Sequence, residues 1–305
     1  LNFMIVCIGS IFLDHVSKVD KLPKKPIKIL SKKIERRLGG SAAVASFTAK
    51  KLGCKSEFIG RFGNDDASKF LISEFKKNSI NTKNSIFIKN AQTSQSYVIE
   101  DKNGERLLAA YNDIKLLNYT KKPDLNFNKN KVYSIDSRWE ELSEFISKKT
   151  QKKKIFCVAD LDNFKLSKKI KSIVKNASHP IFSEEGIKEY KKKGNIQKKL
   201  LDIYKETNKF VAVTLGSNGV LWIEDGNLYH CKPPKVKVVE TNCAGDVFHG
   251  AFASALNQKK NITQSIIFAT STATLKCMKS GGVYSIPNLN SVSRFSKKIK
   301  VIKIL

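Results

Sequence analysis

Residues 240–252 read ETNCAGDVFHGAF. Asp246 follows the small pair Ala244-Gly245 and opens the pattern V-F-H-G-A-F-A-S-A-L, which is helical and largely apolar. The spacing predicts a buried helix with Asp246 in its first turn. A helix start exposes backbone N–H groups and partial positive charge, so it favours anions. Ala244 and Gly245 let the backbone approach such a ligand. Two readings of Asp246 follow. It is a base beside a phosphate-binding turn, or an acid that stabilises the helix start.

Outward from this stretch, short apolar runs alternate with helical segments. The runs are MIVCIGS (4–10), SEFIGRFG (56–63), KVYSID (131–136), KIFCVADL (154–161), PIFSE (180–184) and FVAVTLG (210–216). Between them lie SAAVASFTAKKLG, DASKFLISEFKKN and RWEELSEFISKKTQKKK. Continuous apolar strands separated by helices predict an α/β protein whose mainly parallel sheet is covered on both faces. GVLWIEDGNLYHC (219–231) departs from this and reads as a hairpin turning at Asp225-Gly226. Two further stretches fall outside the alternation. Residues 11–37 hold strand-like pieces between polar turns, and SQSYVIEDKNGERLLAAYN (94–112) reads as a hairpin with Asn103-Gly104 at its tip. Together they predict a small β-sheet lid on a single unit spanning 1–305. No Pro/Gly linker divides the chain, and no internal repeat appears.

Composition narrows the functional classes. The net charge is +29, but only six basic residues are Arg and fifty are Lys, spread over the 305 residues. Base-reading proteins lean on the bidentate Arg fork, so nucleic acid is not the expected partner. The basic field suits anionic substrates such as ATP. Cys7, Cys54, Cys157, Cys231, Cys243 and Cys277 form no C-x-x-C pair and read as free thiols of a reducing compartment. The opening LNFMIVCIGSIFLD lacks signal-peptide features and reads as a first buried strand. No apolar run reaches the roughly 18 residues of a membrane span. A cytoplasmic chain is expected.

LGGSAAVASFTAKKLG (38–53) is a Gly-Gly turn entering a small-residue helix that ends at Gly53. VTLGSNGVLW (213–222) puts Gly216 and Gly219 at the end of a buried strand, where open α/β sheets bind ligands. Tight turns also call for Gly on conformational grounds alone. Neither G-x-x-x-x-G-K-[ST] nor G-x-G-x-x-G occurs, which removes the P-loop and Rossmann signatures.

In this order, IVCIGSIFLD, LGGSAAVASFTAKKLG, FIGRFGNDDASKFL, VTLGSNG, TNCAGDVFHGAF and LKCMKSGGVYSIP resemble the ribokinase-like, or phosphofructokinase B, carbohydrate kinases over nearly the whole chain. TSQSYVIEDKNGER, SRW (137–139), FSEEG (182–186) and AGDVFHGAF resemble its sulfofructose kinase branch. The resemblance implies an ATP- and Mg²⁺-dependent phosphotransferase with a central sheet between helices and a β lid. In the family the lid often doubles as a homodimer interface. It implies Asp246 as base, with the N–H groups of Cys243, Ala244, Gly245 and Asp246 as anion hole. Asp14, placed at the end of the first strand, would hold sugar hydroxyls, with Gly39 and Gly40 bordering the sugar. Thr214, Gly216 and Gly219 would line the nucleotide. Lys28 and Arg138 match the pair that grips a sulfonate in the sulfofructose branch. The leading substrate is then 6-deoxy-6-sulfofructose or a related ketohexose, with other sugars, sugar phosphates and nucleosides as alternatives. Asp14 also reads as a turn acid, Lys28 as a solvated surface charge, and Arg138 as a local partner of Glu140 or Glu141.

The chain departs from the family pattern at several positions. Cys243 replaces the first Gly of G-A-G-D, where a positive φ would strain it. Glu240 replaces an Asp that, with its neighbours, holds a monovalent cation in many relatives; Asn242 lies two residues on. The N-x-x-E element near the metal reads Ser183–Gly186, leaving Glu184 as the nearest acid, with Asp160 and Asp162 at a strand end to order Mg²⁺ waters. Val44 and Ala110 stand where many sugar kinases and the sulfofructose branch, respectively, carry Asn, with Asn112 two residues beyond Ala110. A catalytically degraded sugar- or nucleotide-binding protein is the alternative that Cys243, Ser183 and Gly186 favour.

Overall fold

The computed structural model describes residues 4–102, 105–162 and 164–304. A nine-stranded sheet forms its centre. From one edge it runs Lys55–Ile59, Met4–Ile8, Lys131–Asp136, Cys157–Leu161, His179–Ser183 and Val211–Thr214, all parallel. Val220–Glu224, Asn227–Lys232 and Lys300–Lys303 then continue it antiparallel. Each predicted apolar run covers one of the six parallel strands, except that Lys55–Ile59 and His179–Ser183 each begin one residue earlier. Their continuous apolarity has a direct cause, because both faces of the sheet are covered. Ile5, Cys7, Val158 and Ile181 point into one core with Phe47, Ala251 and Phe252. Val6, Ile8, Ala159 and Phe182 point into the other with Leu142, Ile146 and Ile203. The hairpin turns where expected, with Asp225 at φ 49° and Gly226 at φ 80°, the paired positive φ of a tight two-residue turn. The strand Lys300–Lys303, on the far edge, was not anticipated.

The helix after the opening motif spans Ala244–Asn257 and is buried over most of its length. It packs on Ser41–Lys51, whose Ala42, Ala43, Ala45 and Ala49 allow close approach. At Gly250 the backbones approach closely; a Cβ there would lie 2.6 Å from the Ala45 carbonyl oxygen. Ile262–Cys277 packs against the other side of the same helix and is started by an Asn261–Gln264 capping box.

A second sheet of four strands runs Lys33–Gly39, Phe12–Lys18, Gln95–Glu100, Arg106–Tyr111, with the middle pair parallel. Three of them lie within the two stretches that fell outside the alternation, and Lys33–Gly39 runs two residues past the first, into the Gly-Gly turn. The expected turn at Asn103-Gly104 lies outside the described residues. Register puts Asp14, Ser96 and Arg37 side by side on one face. The opposite face carries His15, Tyr97, Leu107, Tyr111 and Ile34, and Ile34 is 73% exposed. Asp14 is therefore the third residue of the strand Phe12–Lys18 in this small sheet. The expectation that it ends the first strand of the central sheet is corrected, because the chain turns at Gly9-Ser10 and starts a new strand.

Candidate active site

The strands Met4–Ile8, Lys131–Asp136 and Cys157–Leu161 pack against the helix Ala244–Asn257, and acids at the ends of the last two, Asp136 and Asp162, face Asp246. Met4–Ile8 leads into Gly9-Ser10, and the Ser10 amide and hydroxyl both donate to Asp136 Oδ2 at 2.7 Å. Asp136 closes the strand Lys131–Asp136, and its Oδ1 accepts from the Arg138 amide at 2.9 Å. A Cβ on Gly9 would collide with this carboxylate, which is why glycine follows the strand. Ser10 Oγ in turn accepts from the Ser41 amide at 3.0 Å, and the Ser41 side chain bonds to Asp246. A chain of hydrogen bonds thus links Asp136, through Ser10 and Ser41, to the acid of the opening motif.

Asp246 is partly buried in the first turn of its helix. Burial pushes its carboxyl up to about 6, and Asp162 and Asp136 add to the rise, opposed by Ser41 and Arg138. Asp160 is held well above the usual carboxylate range by burial and by Asp246, Asp162 and Asp136. His249, with Nε2 3.2 Å from Asp160 Oδ1, is driven by burial down to about 4 and is neutral. The turn before Asp246 is bent at Cys243, which adopts φ 62°, ψ 9°. This left-handed conformation is unusual for a residue with a Cβ. The Ala244 amide, expected in the anion hole, instead turns back to the Thr241 carbonyl at 3.2 Å. Those of Gly245 and Asp246, in the first helical turn, have no intrahelical carbonyl to reach, and a Cβ on Gly245 would meet open space.

The small sheet approaches from the other side. Asp14 is 9% exposed, accepts from Ser96 Oγ at 2.6 Å, and is pushed up to about 6 by burial, against the pull of Ser96 and Arg37. Gly39 gives it room, since a Cβ there would collide with its carboxylate. Gly40 has φ 95° and lies against the backbone of Ser10 and Ile11. Asp14 is near enough to Cys243 to raise its thiol, although burial is the main cause.

A cavity of about 160 Å³ opens between the two sheets, lined by Ser10, Phe12, Arg61, Ser94, Asn112 and Arg138 among others. Arg61 was not singled out from sequence. It lies over the Trp139 ring at 4.5 Å and donates to the carbonyls of Leu117 and Arg138 at 3.1 and 3.4 Å. Neither Arg61 nor Arg138 forms a salt bridge among the described residues, so the local Arg138 pairing with Glu140 or Glu141 is not observed. Asn112 reaches the cavity and accepts from Ser94 Oγ at 2.8 Å. Ala110, on the strand, is exposed. Lys28 is exposed in the irregular connection between Lys18 and Lys33 and does not line this cavity.

Farther along the carboxyl side of the central sheet, Thr214 closes its strand with its hydroxyl donating to the Phe182 carbonyl at 3.3 Å. Gly216 (φ 54°) and Gly219 (φ 83°) frame a short turn closed by the Leu215 amide on the Gly219 carbonyl at 2.7 Å. A Cβ on Gly219 would collide with the Cys231 carbonyl, whereas one on Gly216 meets nothing. Glu184 is not drawn toward the other acids; its carboxylate pairs with Lys188 at 2.5 Å, one helical turn on. Among the described residues no group of three or more His, Cys, Asp or Glu is arranged to hold a metal ion. All six cysteines are free thiols, and no described helix is long and apolar enough to cross a membrane.

The model of the pfkB family carbohydrate kinases matches residues 2–289. The chain belongs to that family, whose members move a phosphoryl group onto a sugar hydroxyl. It is 24% identical over 311 residues to the bifunctional ribokinase/ribose-5-phosphate isomerase A of Fructilactobacillus sanfranciscensis, covering 94% of this chain but only 55%, about half, of that one. It is 26% identical over 285 residues to probable fructokinase-5 of Arabidopsis thaliana, covering 85% and 88% of the two chains. The fold superposes on the ribokinase of Arabidopsis thaliana solved with ribose and ATP, with a TM-score of 0.79, 19% identity and coverage of 97% and 99%.

Proposed function

We propose that this chain is an ATP-dependent sugar kinase whose acceptor is a sugar carrying an anionic substituent, such as 6-deoxy-6-sulfofructose. The observation that carries the substrate class is the pair Arg61 and Arg138, two guanidinium groups on one cavity that make no salt bridge among the described residues, though Asp136 and Glu141 act on Arg61, and Arg138 on Asp246, at longer range. Arg at a cavity wall with no salt-bridge partner suits an oxyanion that meets its planar fork. Asn112 and Ser94 add neutral hydrogen-bonding groups beside them, and Asp14 is placed to accept from sugar hydroxyls. Arg61 takes the position beside Arg138 for which Lys28 was expected.

In this reading the Asp246 carboxylate takes the proton of the attacking hydroxyl. The free amides of Gly245 and Asp246, with that of Cys243, face the transferring phosphoryl group, where developing charge is stabilised by fixed dipoles. A carboxyl near 6 is well matched to proton transfer at neutral pH. Thr214, Gly216 and Gly219 border the nucleotide. Asp162 and, once ionised, Asp160 offer hard oxygen ligands of the kind Mg²⁺ prefers; Asp160 Oδ1 is buried, and the His249 ring nitrogen 3.2 Å away makes no hydrogen bond with it. Mg²⁺ would supply charge neutralisation on the nucleotide phosphates. The four-stranded sheet serves as a lid over the cavity, and its exposed outer face as the contact for a second copy.

The deciding experiment is phosphate transfer from ATP, with Mg²⁺ present, to 6-deoxy-6-sulfofructose, fructose, fructose phosphates, ribose and adenosine. Turnover confined to an anionic sugar, with KM raised in Arg138→Ala and Arg61→Ala, is the expected result. Equal or better turnover on ribose or fructose would discard the anionic substrate and keep the kinase. A second reading, a binding protein with a degraded site, rests on the left-handed Cys243. Measurable ATP binding with no turnover on any sugar would favour it.

A further inference from the structure

Lys276 is buried without exposure in a helix whose neighbouring positions are apolar or small, Ile262–Cys277. A Lys almost never sits this way without a dedicated partner. Its partner is Glu240, the first residue of the stretch that leads into Cys243 and Asp246. Lys276 Nζ lies 3.0 Å from Glu240 Oε1 and 3.2 Å from the Glu240 carbonyl oxygen. The other donors to this carboxylate are the Gly282 amide on Oε1 at 2.9 Å, and the Gly281 amide, Ser280 hydroxyl and Arg37 Nη1 on Oε2 at 3.0, 3.1 and 3.3 Å. Burial alone would raise the Glu240 carboxyl. Lys276, the Gly281 amide and Arg37 reverse that and hold it at about 2.

This is the place where a monovalent cation was expected from the acid at position 240. The residues present do not fit one. A metal ion binds oxygen lone pairs, and here each oxygen of Glu240 is met by an N–H, an O–H or an ammonium. An added cation would also face Lys276 and Arg37 at short range in a buried site, where like charges repel strongly. We infer that Lys276 is a resident, tethered cation that replaces a dissociable monovalent ion, and that through Glu240 it positions the phosphate-binding turn. The tether has a structural route. The amides of Val239 and Glu240 both bond to the Cys277 carbonyl, at 2.8 and 3.1 Å, so the segment before the turn is fastened to the end of the helix that carries Lys276. Arg37 brings the strand Lys33–Gly39 of the small sheet to the same carboxylate and also pairs with Glu35. Lys276 is thus a positioning residue for the reaction proposed above, and the inference rests on that reading for its catalytic part.

The test is carried out on the full chain in potassium, sodium and choline chloride at equal ionic strength, reading both turnover and thermal melting. Wild-type turnover is expected to agree within about twofold across the three salts, and the melting temperature to be the same, since no ion binds selectively to the folded state. Lys276→Met keeps the aliphatic stem and removes the charge. It is expected to lose about tenfold or more in kcat, with KM for the sugar little changed, as displaced positioning groups do, and to regain part of it in potassium or ammonium chloride. Acceleration of the wild type by potassium of more than about fivefold, or a higher melting temperature in potassium alone, would overturn the inference. So would a folded Lys276→Met that keeps full activity, or one that no cation restores. If Lys276→Met does not fold, the wild-type comparison decides. If no sugar is turned over, the kinase reading fails, while melting still reports whether the folded chain selects potassium.

Discussion

At the scale of single residues, the two acids near 6 make different demands. Asp246→Asn is expected to keep the fold and ATP binding and to lose about 10²–10⁴-fold in kcat, the usual weight of a general base; turnover within twofold of wild type, a margin of about 0.4 kcal/mol, would remove Asp246 from the chemistry. The wild-type rate should rise with pH through a midpoint near 6, where the base loses its proton. Stability runs the other way. The folded state holds the Asp246 proton more tightly than the unfolded chain, so between about 4 and 6 stability falls as pH rises. Asp246→Asn should therefore melt higher than wild type at pH 8, by on the order of 1–3 kcal/mol, and the gap should close toward pH 4. Cys243 is a second local cost. Its φ of 62° is one glycine adopts freely, so Cys243→Gly is expected to stabilise the protein by a few tenths to about 1 kcal/mol in a denaturant melt, the relief of strain exceeding the extra unfolded-state entropy of glycine; a lower midpoint would show the strain to be smaller than that entropy.

At the scale of elements, the strand Lys33–Gly39 illustrates how little freedom the site has. Gly39→Ala would push the Asp14 carboxylate off its Ser96 bond, and KM for the sugar should rise about tenfold or more while KM for ATP is unchanged; steady-state kinetics with each substrate varied would show it. The six parallel strands were legible because a sheet covered on both faces demands unbroken apolar runs, and the Asp225-Gly226 hairpin because its turn chemistry is local. The strand Lys300–Lys303 is marked only by the alternation of KVIK, four residues long and exposed on its outer edge. Within the site, Asp246 and the glycines carried local signals. Arg61, Asp136 and the two cationic partners of Glu240, Lys276 and Arg37, did not, because their meaning lies in contacts between residues up to 203 positions apart. Lys276 in particular was hidden by composition, as one of fifty lysines.

At the scale of the whole molecule, the small sheet is the least self-sufficient part. Tyr97, Leu107 and Tyr111 stand 58%, 52% and 47% exposed on its outer face, a patch of the kind that marks a contact surface. We expect a dimer through this face. Leu107→Lys with Tyr97→Lys should shift sedimentation to the monomer, and a wild type already monomeric at micromolar concentration would discard the idea. The basic field of +29 should also make the KM for ATP rise with added salt. The molecule carries its own optical probes for such work. Its two tryptophans occupy separate worlds: Trp222 stacks on Tyr229 inside the central core, while Trp139 is buried beneath the Arg61 guanidinium at the cavity wall. An anionic sugar that draws Arg61 away should change the emission of Trp139 and leave Trp222 silent until the chain unfolds. With Trp222→Phe as the carrier, ligand occupancy becomes a fluorescence titration that needs no label and no turnover.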